Sequence, residues 1–195
     1  MSNYQPTVWQ DGSPPALNAA NLNHIEQGIA DAAEAIAVLE TIRAKTTGTI
    51  INAAALGIKN DGTTNDAVTF DHQKDTIYYF PKGTYKIKGI EFTNCENVTI
   101  STREAVFVFD SDADGANMLR FYNCENITVD GGMFNGNAAA KRGIAFVNTP
   151  RVCVKDVTIT NIGNAAKDGA SGLSFTGNCS NSAIENVTVV GVTAG

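Results

Sequence analysis

Asn97-Val98-Thr99-Ile100, Asn126-Ile127-Thr128-Val129, Asp156-Val157-Thr158-Ile159 and Asn186-Val187-Thr188-Val189 are one strand written four times, at almost even spacing. A second strand lies upstream of each: Ile90-Glu91-Phe92, Leu119-Arg120-Phe121, Ile144-Ala145-Phe146 and Leu173-Ser174-Phe175. Apolar and polar residues alternate along the first series, which is the two-residue period of a pleated strand. A unit this short cannot bury an apolar face alone and must stack on copies of itself. The pattern predicts a mainly β fold, a right-handed parallel β-helix with one coil per repeat.

The same spacing predicts which side chains stack. Val98, Ile127, Val157 and Val187 form one inner column, and Ile100, Val129, Ile159 and Val189 another. Thr99, Thr128, Thr158 and Thr188 form an outer ladder, because alternate residues of a strand face opposite ways. Asn97, Asn126 and Asn186, with Asp156 in the equivalent place, occupy the turn into the strand, where stacked amides can bond from coil to coil. These asparagines also match an Asn-x-Thr glycan acceptor pattern, but with no secretory signal they read as turn ladders. Cys95, Cys124 and Cys153 recur at equal steps and predict a column of reduced interior thiols beside Cys179. Their parallel side chains are poorly placed for a disulfide. Gly191-Val192-Thr193-Ala194-Gly195 has no polar cap of the kind a solenoid needs, so the chain is expected to be the front of a longer protein.

Residues before the repeats read differently. Leu22, Ile25, Ile29, Ala32, Ile36 and Leu39 are spaced 3, 4, 3, 4 and 3, an a/d heptad seam. Asn18 follows Pro14-Pro15 as a candidate N-cap, and Gly48 lies past the end. The seam predicts a helix from about 17 to 44 that self-associates, without deciding dimer against trimer. The expected organisation is an N-terminal arm over 1–16, a helical segment over 17–48, a junction over 49–88 and the first coils of the β-helix over 89–195. Trp9 in the arm is an anchor into a partner or a local packing residue.

Composition bounds the function. A net charge of −6 and a pI near 4.8 argue against nucleic acid or an anionic membrane as partner. No apolar run is long enough to span a bilayer, and the first residues lack a signal-peptide pattern, so synthesis in a cytoplasm without membrane insertion is expected.

Two stretches carry a family resemblance. Leu56-Gly57 to Asp66 resembles the opening motif of pectate-lyase-like β-helix proteins, and Phe80-Pro81-Lys82-Gly83-Thr84-Tyr85 is similar to the motif that follows it there. The helix usually found between them has only Ala67 to Thr76 to occupy, so it is shortened or lost. Trp9-Gln10-Asp11-Gly12, with Asn18 to Ile29, resembles a segment of phage tail and appendage proteins. Together these resemble the preneck (head) appendage, or tailspike, proteins of small short-tailed Bacillus phages. The resemblance implies a homotrimer on the virion, made in the host cytoplasm. Its N-terminal region would bind neck, connector or head proteins, and its β-helix would bind and degrade a host cell-wall glycopolymer, wall teichoic acid.

Catalytic residues are not evident. Glycoside hydrolysis needs two carboxylates at a defined separation. Asp130 and Asp156 read as turn and ladder residues, which leaves Asp168, in Lys167-Asp168-Gly169 on a longer loop, as the weak catalytic candidate. Asp110, Asp112 and Asp114, with Gly115 in the sixth place, match the first half of a calcium loop, but Phe121 stands where the twelfth-position glutamate belongs. No cofactor is required by any motif, and Ca2+ is the one metal suggested. Two other readings stay open: a complete small carbohydrate-active β-helix enzyme, and a passive carbohydrate-binding adhesin.

Overall fold

The computed structural model describes residues 19–44, 48–110, 116–163 and 169–193. The chain divides into two compact units, Met1–Thr47 and Gly48–Gly195. In the first, a single helix is described, α1 (Ala19–Ala44). It is rich in alanine, the best helix former, with glutamate and leucine. Gln27 Nε2 donates to Asp31 Oδ1 one turn on, at 2.8 Å. No described helix is long and apolar enough to cross a membrane.

The second unit is a parallel β-solenoid of about five turns. Its strands are β1 (Thr49–Asn52), β2 (Asp61–Asp71), β3 (Lys74–Tyr79), β4 (Gly83–Thr93), β5 (Glu96–Phe109), β6 (Asn117–Tyr122) and β7 (Glu125–Asn135). They continue as β8 (Arg142–Val147), β9 (Val152–Lys155), β10 (Thr158–Ile162), β11 (Ser171–Thr176), β12 (Ala183–Glu185) and β13 (Thr188–Val192). The strand pairings are parallel, and the strands fall on three faces. Face A is β1, β3, the first halves of β5 and β7, then β9 and β12. Face B is the first halves of β2 and β4, the second halves of β5 and β7, then β10 and β13. Face C is the second halves of β2 and β4, then β6, β8 and β11.

Face C carries the second strand of each repeat read from the sequence, and one earlier strand, in β2. Phe70, Phe92, Phe121, Phe146 and Phe175 stack, with centroids 4.6, 5.1, 5.0 and 5.0 Å apart. Offset-stacked rings contribute roughly 0.5–1.5 kcal/mol per pair beyond their burial. Beside them, Val68, Ile90, Leu119, Ile144 and Leu173 share a register. Tyr85, Phe107 and Phe134 stack on face B.

Faces A and B correct the expected columns. Val98 and Ile127 stack on Val152, not on Val157, and Ile100 and Val129 stack on Val154 and then Ile184. The Asp156 strand belongs to face B, where Ile159 lies between Phe134 and Val189. The threonine ladder therefore runs Thr99, Thr128, Cys153, Ala183, while Thr158 and Thr188 pair on the other face. The cause is one short coil. The turn residue above Asn126 is Arg151, a shorter step along the chain than that from Asn97 to Asn126. The difference is made up at the two corners that flank face B. The next look-alike motif, at Asp156, consequently lands one face later.

The same shift moves a cysteine. Cys95 and Cys124 are buried at the corner from face C to face A, and the place above them is filled by buried Thr149, not Cys153. The Cys95 amide faces Cys124 Sγ at 3.4 Å, and the Cys124 amide faces Thr149 Oγ1 at 3.4 Å. Sulfur and hydroxyl each accept the backbone donor of the coil below, which explains their exchange. All four cysteines are free.

The stretch 49–88, expected as a junction, is already solenoid, since it holds β1 to β3 and part of β4. The polar, bulged β2 hides the alternation there and occupies much of the place of the expected helix. In the second motif, Tyr85 Oη donates to the Pro81 carbonyl at 2.8 Å, and a Cβ on Gly83 would lie 2.8 Å from Asn60. Asp61 Oδ1 accepts from the Thr63 and Thr64 amides, both at 2.8 Å.

Candidate functional site

A solenoid can vary its corners without disturbing its faces, and binding groups gather where the connections vary. From β3 onward, the corner from face A to face B holds only two or three residues in each coil. The corner from face B to face C changes sharply. It has no extra residue at Asp66–Ala67 and one, Lys88, in the next coil. It then takes seven, six and eight residues at 110–116, 136–141 and 163–170. A recess lies on the coils at this corner, between β2, β4 and β6.

That recess is a groove of about 290 Å³, lined by Thr69, Lys88, Gly89, Glu91, Asn117 and Arg120 among others. Gly89 shapes its floor. Its φ is +147°, and a Cβ there would meet the Asn117 carbonyl oxygen at 3.1 Å. Glu91 and Arg120 are register partners on the outside of face C. Arg120 Nη1 lies 3.2 Å from Glu91 Oε2, with both side chains about a third exposed at 35% and 37%. The Thr93 hydroxyl donates to the other carboxylate oxygen at 3.3 Å. The guanidinium carbon stands 5.0 Å over the Tyr122 ring, which fixes its plane. Asn117 Oδ1 is buried without a hydrogen-bond partner.

The candidates read from the sequence are placed as follows. Asp168, Asp112 and Asp114 lie outside the described residues, on connections of this same corner. Asp110 opens that connection, and its Oδ2 is held by Lys86 Nζ at 2.7 Å and Asn65 Nδ2 at 2.9 Å. Any cation at this carboxylate has an ammonium to displace. Among the described residues, no three His, Cys, Asp or Glu side chains converge as a metal site requires. Asp130 is mostly buried at the corner from face A to face B, with Arg103 at 3.1 Å and Lys155 at 3.5 Å on one oxygen. Its other oxygen and the Ser101 hydroxyl, its register neighbour, are buried without partners. Asp156 is a left-handed corner residue, φ +56°, that accepts from Asn186 Nδ2 at 2.8 Å.

On the helix, Ile29 is 65% and Ile36 55% exposed; Ala32 is exposed and Ile25 half-buried. The side chains of Leu22 and Leu39, and the whole arm with Trp9, lie outside the described residues.

The groove residues were not singled out in the sequence, although the signal was present. Glu91 and Arg120 occupy the same place in successive repeats with opposite charge. Lys88 and Asn117 carry no such mark, because they meet only across neighbouring coils.

No protein-family model matches the chain, and no curated protein matches it. Among solved structures, the chain is similar to a "putative glycosyl hydrolase from Parabacteroides merdae ATCC 43184" at 15% identity and a TM-score of 0.41. That alignment covers 72% of this chain and 96% of the other. A likeness at this level says nothing about activity.

Proposed function

We propose that this chain is the virion-attachment part of a trimeric phage appendage whose β-solenoid recognises a host cell-wall glycopolymer. The observation that carries this reading is the helix that precedes the solenoid in the chain, with Ile29 and Ile36 largely exposed on a heptad seam. Burying one such side chain contributes roughly 1.5–3 kcal/mol, so a stripe of them on every copy favours association through the seam. The resemblance of 9–29 and 51–85 to appendage proteins supplies the biological setting. The arm, residues 1–16, then meets neck, connector or head proteins, and the solenoid meets the cell surface. In the full protein, the β-helix binds and degrades wall teichoic acid during adsorption.

The test is sedimentation equilibrium of the 195-residue chain, with co-sedimentation on purified wall teichoic acid. The expected mass is three times 20.6 kDa, with polymer bound. A monomer at micromolar concentration overturns the trimeric appendage, and absence of polymer binding removes the glycopolymer.

A further inference from the structure

We propose that the groove lined by Thr69, Lys88, Glu91, Asn117 and Arg120 is a subsite for one phosphorylated sugar unit of an anionic saccharide chain. This deepens the glycopolymer reading and rests on it. Glu91 and Arg120 present two planar groups side by side, an acceptor carboxylate and a donor fork. Adjacent hydroxyls of a sugar ring each donate and accept, so a vicinal diol can bond to both members of such a pair. Tyr122 beneath the guanidinium holds that fork before the ligand arrives, which lowers the ordering cost of binding. Asn117, half-buried, lines the same groove, and an amide side chain can bond a sugar hydroxyl.

Charge selects the substituent. The charged lining residues of the groove are Lys88, Glu91 and Arg120, a net of +1, on a chain whose net charge is −6. Lys88 is exposed at the edge, where a point charge can meet a phosphate. At about 290 Å³ the groove is at the small end of ligand sites, which span roughly 300–1,000 Å³. It fits a single ring with its substituent. The small residues Ala67, Gly89 and Ala116 leave room for the ring to lie along the corner.

The test is titration calorimetry of the whole chain with glucose 1-phosphate, glucose and inorganic phosphate as probes. Glucose 1-phosphate is expected to bind, and each of the other two about tenfold more weakly, as loss of one charge-assisted or one hydroxyl contact set implies. Lys88→Gln and Arg120→Gln are each expected to weaken the phosphosugar about tenfold with the melting temperature retained. Lys88 is exposed, so its variant remains informative if Arg120→Gln misfolds. Binding unchanged in Lys88→Gln overturns the site. Equal binding of inorganic phosphate overturns the sugar and leaves an anion site only. Polymer that binds wild type and both variants alike removes the groove but keeps the cell-wall reading. Phosphosugar binding lost in the variants, with no binding of teichoic acid, does the reverse.

Discussion

Asn126 Nδ2 donates to Asn97 Oδ1 of the coil below at 2.8 Å, and both residues sit in the left-handed region, at φ +54° and +55°. Asn97 in turn donates to Asp75, φ +48°, at 2.9 Å. The ladder thus satisfies a side chain and a strained backbone at once. A left-handed residue with a Cβ costs roughly 1–2 kcal/mol unless it is asparagine-like. Asn126→Ala is expected to lose that amount plus a hydrogen bond of about 1 kcal/mol, while Asn126→Gly loses chiefly the bond. Guanidinium unfolding of the two variants checks the order. Equal losses would show that the backbone at this corner is not what asparagine is there for.

The phenylalanine column gives a graded series. Phe121 is fully buried between Phe92 and Phe146, whereas Phe175 is 37% exposed at one end. Phe121→Ala is expected to cost about 3–5 kcal/mol, and Phe175→Ala distinctly less. A larger effect at Phe175 than at Phe121, measured by the same denaturant midpoint and slope, contradicts the stacked core.

Acid should loosen the opening motif. Hydrogen bonds from the Thr64 amide and hydroxyl and the Thr63 amide hold the Asp61 carboxyl well below the usual carboxylate range. Asp71 is also lowered, first by the Asn94 side chain. A depressed folded-state value means the unfolded chain binds the proton first. The stabilisation is therefore present above the unfolded value, near 4, and is lost as pH falls through the folded value. Asp61→Asn should show a shallower decline of melting temperature below about pH 4 than wild type. Parallel declines would place the acid sensitivity elsewhere.

The thiols should fall into two classes. Cys95 and Cys124 are buried, and their mutual hydrogen bond pulls Cys95 down and pushes Cys124 up, with burial raising both. Cys153 is half-buried, and that burial raises it too. In the native protein, Ellman's reagent should modify Cys153 and Cys179 first, with Cys95 and Cys124 reacting on the unfolding timescale. Four equally fast thiols would contradict the closed corner.

If the seam holds the copies together, Ile29→Asp with Ile36→Asp should give a monomer in sedimentation velocity. The far-ultraviolet spectrum should keep its strand signal. A variant that stays associated assigns self-association to another surface.

How much of this was legible in the sequence depends on whether a feature repeats. The face C columns were, because Ile-x-Phe and Leu-x-Phe keep their phase through coils of different length. The same series already carried the warning. The step from Phe121 to Phe146 is shorter than that from Phe92 to Phe121, while the neighbouring Asn-x-Thr series shows no such shortening. Arg151 gave no sign that it takes a turn that asparagine takes elsewhere, because its left-handed conformation is imposed by the stacked coils. The first coils were hidden by the bulged, polar β2. The groove was hidden for another reason. It gathers residues of β2, β4 and β6 at one corner, and such a meeting leaves no motif.

The constancy of the corner from face A to face B, against the other two, which both lengthen along the solenoid, also makes this fold a shaft with adaptable rims. New residues inserted between faces B and C change no column, no ladder and no register, so recognition can be rewritten there while the shaft is inherited unaltered. A designer wishing to graft a binding peptide would begin between Asn135 and Arg142.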